Sequence, residues 1–285
     1  MLNAKSPIVR FREDKSNGQL VSVHDTVFGT TIRPSKLWTP FCERIFRSEK
    51  ANGVWLDDIS IAPHGTLAFA ANLPKCARLT VERGEQVSLS PLMDSPCFEE
   101  LQIGTGVRVA EFDLTRLPKL KRLQVPVCKP LMSAVRCVNL VSLILNGGNH
   151  PGVLGLEALP SLEELICIGV GHLRRIAIAP KVSLRSLELT NLRYLEGIAP
   201  HLALTRELRV VVLNRVPRIG IEWLRQAQKV ECIALRIGKI PSIKCLEGLQ
   251  RLQVLDLFGS KVLDGDLSLR DSLRNELDAR LWGDK

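Results

Sequence analysis

Aromatic residues are scarce in this chain of 285 residues: they make up 5% of it, with a single tyrosine. A core built around one cluster of large rings is therefore excluded, and many similar aliphatic contacts are expected instead. Hydrophobic residues nevertheless account for 45% of the chain, with leucine the most prominent, which excludes a protein that is disordered throughout.

Long apolar runs are also missing. The first residues, MLNAKSPIVRF, do not resemble a signal peptide, and no stretch reaches the roughly 18 uncharged apolar residues that a membrane helix needs. The eight cysteines follow no disulfide-framework spacing. We therefore expect a cytoplasmic protein without membrane association, in which cysteines are reduced and pack as small hydrophobic residues.

Motifs for catalysis, metals and cofactors are absent from the sequence. It contains no CxxC, HExxH, GxSxG or phosphate-binding loop, and its five histidines are far apart. The paired carboxylates Glu99-Glu100 and Glu163-Glu164 would point in opposite directions on a strand, which does not suit an acid–base pair. We predict no catalytic, cofactor-binding or metal-binding residues, and a protein that is not an enzyme.

The net charge of +9 is compatible with an acidic partner, but basic residues are scattered among acidic ones. A nucleic-acid hypothesis would depend on arginines of the C-terminal half, which are Arg174, Arg175, Arg185, Arg209, Arg215, Arg218 and Arg236. Without clustering or interleaved aromatic residues, nucleic acid is the less favoured partner.

The chain is repetitive. Ten segments fit L-x-x-L-x-L when other apolar residues are allowed, and successive segments start 20, 22 or 24 residues apart. Their first core residues are Leu56, Cys76, Phe98, Leu120, Leu140, Leu162, Leu184, Leu208, Val230 and Leu252. A further apolar residue recurs eleven positions later, at Leu67, Val87, Val109, Leu131, Leu173, Leu195, Ile219 and Leu263.

This pattern resembles the leucine-rich-repeat family, in which each unit of 20 to 29 residues contributes one short strand to a curved solenoid. The resemblance implies a mainly β or α/β solenoid of about ten repeats, with a parallel sheet on its concave face and a cap at each end. The ninth position departs from the family, which favours Asn or Cys there to satisfy the bend. Only Cys128 fits, so we expect the bends to be satisfied in another way.

Domain organisation follows from the extent of the repeats. We predict an N-terminal β-rich cap with a short helix in residues 1–52, the solenoid in 53–262 and a C-terminal capping helix in 263–285. In the first cap, IVRF, QLVSVH and TTI indicate strands, and Thr39-Pro40 indicates a helix start. The predicted packing face of that helix is Leu37, Phe41 and Ile45. The last cap has Leu269, Leu273, Leu277 and Leu281 at helical spacing after the candidate N-caps Asp266 and Ser268.

The segment LEELICIG suggests a binding surface. The family's fourth and sixth residues point into the core, so its third, fifth and seventh residues would line the concave face, which exposes Ile166 and Ile168. We predict a contiguous apolar strip with a charged rim, which is typical of a protein interface. The predicted partner-binding residues are Ile144, Glu164, Ile166, Ile168, Arg185, Glu188, Arg209, Val210, Val212, Asn214, Arg236, Asp256 and Phe258.

These patterns favour a non-enzymatic scaffold that binds one protein partner through its concave face and is otherwise monomeric. Within that class we favour a bacterial immunity protein whose partner is a toxin domain, because nearly the whole chain is a single repeat array. The alternative is a ligase or signalling adaptor in which residues 1–50 recruit other machinery. A strip covered by the protein's own termini is a third, purely structural interpretation.

Overall fold

The computed structural model describes residues 8–92, 95, 97–109, 114–127, 139–156, 159–178, 182–199 and 207–273. By its contacts the chain divides into two compact units, residues 1–137 and 138–285. Each unit contains parallel strands from successive repeats. The division falls inside the predicted 53–262 array.

The first unit begins with an antiparallel meander of β1 (Ile8–Asp14), β2 (Gln19–Thr26) and β3 (Gly29–Pro34). The three predicted β-rich runs are thus confirmed as strands. Gly18 has a positive φ of 64° in the turn between β1 and β2, which a residue without Cβ adopts without strain. Strand β3 then pairs in parallel with β4 (Gly53–Leu56), so the meander joins the sheet of the repeats directly.

Helix α1 (Pro40–Ser48) begins at the predicted position, but its predicted packing face is wrong. Leu37 is 60% exposed, whereas the buried side chains are Trp38, Cys42 and Phe46. The buried residues therefore recur at the predicted i, i+4 spacing, but each lies one position later than predicted. The Thr39 hydroxyl does not cap the helix and instead donates a hydrogen bond to Gln19 Oε1 at 2.7 Å.

The repeat strands of the first unit are β4, β5 (Arg78–Val81), β7 (Glu100–Ile103) and β9 (Arg122–Val127), which pair in parallel in this order. A second small parallel pair, β6 (Gln86–Val87) with β8 (Arg108–Val109), lies in the returning parts of two repeats. The short helix α2 (Ala68–Ala71) occupies the return of the first repeat.

The register of the first repeat differs from the prediction. The WLDDISI match placed Leu56, Ile59 and Ile61 at the core positions, but the parallel ladder pairs Val54 with Leu79 and Leu56 with Val81. The core residues are therefore Ala51, Val54 and Leu56, all of them buried.

Residues Ile59–Ile61 instead form a 3-10 helix after the strand, capped by Asp58, whose side chain accepts a hydrogen bond from the Ser60 N–H at 2.9 Å. The prediction failed for two reasons. Alanine at the first core position does not resemble the apolar template, while the turn happens to carry isoleucines at alternating positions.

The second unit contains β10 (Ser142–Leu156), β11 (Glu164–Ile168), β13 (Ser186–Thr190), β15 (Val210–Asn214), β16 (Cys232–Arg236) and β18 (Val254–Asp256). These strands pair in parallel and in register, with a residue of one repeat opposite the equivalent residue of the next. The predicted repeat positions in this unit are therefore confirmed by the ladder.

A further layer of strands was not predicted. The C-terminal part of β10 pairs in parallel with β12 (Gly171–Ile178), which pairs with β14 (Gly197–Ala199), while β17 (Lys239–Ile240) pairs with β19 (Lys261–Val262). Its buried side chains include Leu154, Ile176 and Ile198. Most of the residues at the eleven-residue spacing are buried as expected, but Leu131 lies outside the described residues, and Leu263 is 54% exposed while its neighbour Val262 is buried.

The core is a double row of aliphatic side chains. The fourth residue of a repeat, such as Leu165 or Leu187, and the sixth, such as Cys167 or Leu189, are fully buried. Burial raises the pKa of the Cys167 and Cys76 thiols to about 12, because the charged thiolate would lose its hydration. The six described cysteines are free thiols in the structure.

At the C-terminal end, residues 268–273 are helical. The Asp266 side chain accepts hydrogen bonds from both the N–H and the hydroxyl of Ser268. The Asp271 N–H donates to the Leu267 carbonyl, so the N-cap position is Leu267, and the two predicted N-caps, Asp266 and Ser268, lie on either side of it. Leu269 and Leu273 are half-buried, while Leu277 and Leu281 lie outside the described residues. The domain boundaries at 52/53 and 262/263 stay predictions.

The alternation of buried and outward side chains predicts different costs for two adjacent truncations. Leu165→Ala should lower the free energy of unfolding by about 2–5 kcal/mol, because Leu165 is fully buried and a cavity would remain. The matched control Ile166→Ala should cost under about 1 kcal/mol. Urea unfolding followed by circular dichroism measures both, and equal costs would contradict the alternation.

Candidate functional site

The outward face of the second unit's parallel sheet carries the predicted partner-binding residues. Because side chains alternate along each strand, the third, fifth and seventh residues of every repeat point away from the core. The fifth residues form a row of direct neighbours across six strands: Ile144, Ile166, Glu188, Val212, Ala234 and Asp256. The seventh residues form a second row of Asn146, Ile168, Thr190, Asn214 and Arg236.

The predicted contiguous apolar strip is wrong. Glu188 lies directly between Ile166 and Val212, and Ser186 precedes Val210 in the row of third residues. Strand β13 thus presents Ser186, Glu188 and Thr190, which divide the aliphatic side chains into two patches. We name them the isoleucine patch (Ile144, Ile166 and Ile168) and the valine patch (Val210, Val212 and Ala234).

The two patches differ in exposure. Ile168 is 37% exposed, Ile144 and Ile166 are half-buried among their neighbours, and Ala234 is buried. Glu164 borders the isoleucine patch and accepts a hydrogen bond from the hydroxyl of Ser142, which is itself buried. The isoleucine patch therefore presents the more accessible apolar surface.

Ion pairs lie just before the strands of these repeats. Arg185 lies 3.6 Å from Glu163, Arg209 lies 3.4 Å from Glu231, and Lys229 lies 2.6 Å from Glu207. The members of these pairs are more than a third exposed, so solvent screening keeps each contribution to stability small. Their effect is mainly to fix the side chains of a mixed-charge rim.

Arg236 and Asp256 form a further short contact of this rim, at 2.6 Å. The guanidinium Nη2 and Nε of Arg236 donate to Asp256 Oδ2 at 2.6 and 3.2 Å, and the Phe258 N–H donates to Oδ1 at 2.8 Å. These hydrogen bonds lower the pKa of the Asp256 carboxyl below its ordinary value of 3.8, and the bond from Arg236 makes the largest contribution to the shift.

The bends after the strands are built without an asparagine ladder. The eighth residues Gly147, Gly169, Asn191 and Arg215 adopt positive φ, which is uncommon for the last two because they carry a Cβ. The N–H groups of Gly169, Asn191 and Arg215 donate to the seventh carbonyl of the following repeat at 2.8, 2.8 and 2.9 Å.

Ser260 satisfies the last of these bends. Its hydroxyl accepts a hydrogen bond from the Ile237 N–H at 3.0 Å and donates to the Leu235 carbonyl at 2.7 Å. A ninth-position serine thus replaces the family's asparagine here, while Val170, Leu192 and Val216 at the same position are buried aliphatic residues. The prediction that the bends are satisfied without the family's ninth-position asparagine is confirmed for these repeats.

A groove of about 940 Å³ runs along these bends at the carboxyl ends of β13, β15 and β16. It is lined by Asn191, Arg193, Asn214, Arg215, Pro217, Arg218, Arg236, Ile237, Gly238, Phe258 and Gly259. Of these, sequence reasoning selected Asn214, Arg236 and Phe258. It missed Arg193, and it named Arg215 and Arg218 only for the nucleic-acid hypothesis, because only the bend geometry places these arginines along one groove.

The first unit has its own outward cavity, of about 450 Å³, which sequence reasoning missed. Its walls include His24, Trp55 and Arg78. The Trp55 Nε1 and Arg78 Nε donors have no hydrogen-bond partner among the described residues, but both atoms are buried and face no open space. Burial, and secondarily the positive charge of Arg33, lowers the pKa of the His24 imidazole below its ordinary value.

Comparison with known proteins bears on the fold. No protein-family model matches the chain, and no curated protein matches it in sequence. Among solved structures, an internalin (inlF) from Listeria monocytogenes is similar, with a TM-score of 0.53 and 18% sequence identity. The similarity covers 79% of this chain and 66% of the internalin chain, just under two thirds of that protein.

The chain has a leucine-rich-repeat solenoid fold. The internalin similarity and the parallel, in-register strands agree on this assignment, and at this level of identity the likeness extends to the fold alone. In the part of the chain that the structure describes, no group of three or more His, Cys, Asp or Glu side chains could hold a metal ion.

The Arg236–Asp256 contact predicts a measurable titration. We expect Asp256 to titrate below 3.8 in the native protein, and Arg236→Gln to raise its pKa toward 3.8, because the largest stabilisation of the carboxylate is removed. Carboxyl-detected NMR titration measures this. Because the folded pKa is depressed, the pair's contribution to stability is present above the unfolded pKa and is lost as pH falls through the folded value.

Arg209→Gln is the matched control, since Arg209 pairs with Glu231 and does not contact Asp256. An unchanged Asp256 pKa in Arg236→Gln would contradict the described geometry.

Proposed function

We propose that this protein is a non-enzymatic scaffold that binds one protein partner through the outward face of its second unit. The observation that carries the proposal is the isoleucine patch. Ile144, Ile166 and Ile168 are placed side by side by the parallel ladder, on a face where the neighbouring repeats present polar side chains. Aliphatic residues at solvent-facing positions of a sheet reduce solubility unless a partner covers them.

The rim of the patch suits protein recognition. Glu164 and Glu188 flank the isoleucines, and ion pairs continue across the neighbouring repeats. An apolar centre within a mixed-charge rim is the composition of a protein interface, in which the apolar part contributes affinity and the rim contributes orientation. The partner-binding residues of the sequence analysis are retained in this proposal as two patches with a polar divider.

The favoured physiological role is that of a bacterial immunity protein that acts in the cytoplasm, as a monomer, by binding a toxin domain. A single repeat array with one specialised face supports this role. The same arrangement also suits other proteins dedicated to inhibiting one partner. Among the described residues, no helix has both the length and the apolar character needed to span a bilayer.

An adaptor function is the alternative, with the N-terminal segment recruiting other machinery. The pairing of β3 with β4, at Thr31–Gly53 and Ile32–Val54, argues for a cap over the first repeat. An adaptor module should bind its own partner when excised, whereas a capping segment should be insoluble alone.

A nucleic-acid function is weakened by the ion pairs. Arg185, Arg209, Arg218 and Arg236 each lie within 3.7 Å of a carboxylate, so four of the seven arginines that suggested it are already paired. Flat binding between about 50 and 200 mM salt would exclude it altogether.

The decisive experiment tests the isoleucine patch in two steps. A tagged chain carrying Ile166→Asp and Ile168→Asp should keep its melting temperature but lose a stoichiometric protein that the unmodified chain retains at moderate salt. Burial of these side chains would contribute about 1.5–3 kcal/mol each, so charges there should abolish binding. Val153→Asp is the control, because Val153 is exposed on the other layer of strands.

The second step separates an immunity protein from other scaffolds. The captured protein, expressed alone, should arrest growth, and co-expression of the unmodified chain but not of the double variant should restore it. A large fall in melting temperature for the double variant would show that the patch is covered by the chain itself. Equal recovery of the same proteins with all variants would contradict the scaffold.

A further inference from the structure

The bend groove of the second unit has an excess of positive charge. Its lining includes Arg193, Arg215, Arg218 and Arg236 and no acidic residue. Two of these arginines are compensated from outside the lining, since Arg218 lies 3.7 Å from Glu196 and Arg236 lies 2.6 Å from Asp256. Arg193 and Arg215 have no carboxylate partner among the described residues, which leaves two uncompensated guanidinium groups on one groove.

The groove also holds its arginines in place. Arg218 lies over the ring of Tyr194 at 5.6 Å, and Tyr194 stacks on His172 with ring centroids 5.1 Å apart. Arg215 occupies the left-handed region at φ 54°, and its N–H donates to the Arg236 carbonyl at 2.9 Å. Holding a Cβ-bearing residue in this conformation costs free energy, which the following repeat compensates through that bond.

The backbone along the bends is largely occupied. The N–H groups of Asn191 and Arg215 donate to Asn214 and Arg236, and that of Ile237 donates to Ser260. A partner strand therefore finds few free donors there and would not extend a sheet at this edge. Recognition in the groove must depend on side chains, above all on the guanidinium groups, which bind carboxylates in bidentate geometry.

Phe258 provides an apolar contact at the β18 end of the groove. Its side chain is 79% exposed, while its N–H is fixed by Asp256. Neighbouring strands are spaced by about 4.8 Å, so the three intervals from β13 to β18 span about 14 Å. An extended peptide covers that distance with four or five residues.

We propose that the bend groove binds a short acidic segment of the protein partner, with carboxylates at Arg193 and Arg215 and an apolar side chain against Phe258. This proposal rests on the proposed scaffold function and names the chemistry of one part of its partner. A peptide is favoured over nucleic acid because only two arginines of the groove are uncompensated, which suits two carboxylates and not a strand with a charge on every phosphate.

The test uses the full chain and a fluorescein-labelled peptide, Glu-Glu-Glu-Phe-Glu-Glu, in fluorescence anisotropy at low salt. The same peptide with glutamines in place of its glutamates is the uncharged probe, and labelled hexathymidylate is the nucleic-acid probe. We expect the acidic peptide to bind, the glutamine peptide not to bind, and the affinity for the acidic peptide to fall with salt.

Two double variants, each of which removes two positive charges, show where on the protein the peptide binds. Arg193→Gln with Arg215→Asn should weaken binding of the acidic peptide about tenfold, since two exposed charge contacts are lost. Asparagine suits the positive φ at position 215, so this variant should keep its melting temperature. The control pair, Arg225→Gln with Arg251→Gln, removes two exposed arginines outside the lining and should leave binding unchanged.

Each remaining outcome overturns the proposal. Equal weakening by the control pair would show non-specific attraction to a basic protein, and tighter binding of hexathymidylate that the groove variant abolishes would assign the groove to nucleic acid. Absence of acidic-peptide binding would contradict the groove proposal alone, because partner capture through Ile166 and Ile168 is tested separately. The Ile166→Asp and Ile168→Asp variant should bind the acidic peptide normally.

Discussion

The in-register parallel ladder is the constraint on which the second unit depends. Leu143, Leu165, Leu187, Val211 and Ile233 are successive neighbours across strands, and each is fully buried. A slip of one residue in any strand would bring its outward side chains into the core and expose its aliphatic ones. The core therefore fixes the register, and the register decides which side chains a partner can reach.

The same ladder explains why the binding surface has two parts. The repeats share one backbone arrangement but differ in sequence. The chemistry of each outward row therefore varies with the residue that each repeat contributes. Glu188 of β13 interrupts the aliphatic residues of the fifth row, and Ser186 of the same strand precedes Val210 in the third row. The isoleucine patch lies on one side of this polar strand, and the valine patch lies on the other. The bend groove begins where β13 ends, which places acidic-segment recognition beside apolar contacts.

Sequence alone predicts most of this fold, because nine of the ten segments match the observed ladder and bury their predicted core residues, apart from the half-buried Leu255 of the last repeat. The first repeat failed because Ala51 does not satisfy an apolar template, while Ile59 and Ile61 in a turn do. Strands as short as Gln86–Val87 were missed because two residues carry too little periodicity, and the longer β12 (Gly171–Ile178) was missed because the repeat template assigns a strand only to its L-x-x-L-x-L segment. The groove could not be predicted, because Arg193 and Arg215 line it together only through the bends of successive repeats.

The side-chain register of β11 is the most direct test of this account. Native-state alkylation with iodoacetamide, quantified by mass spectrometry of the peptide that contains residues 162–169, compares Cys167 with a cysteine introduced by Ile168→Cys. Cys167 is fully buried with a pKa raised to about 12, so it should react only after unfolding, whereas the introduced thiol should react in the native protein. Rapid native-state labelling of Cys167 with protection of position 168 would reverse core and surface and contradict both proposed binding surfaces.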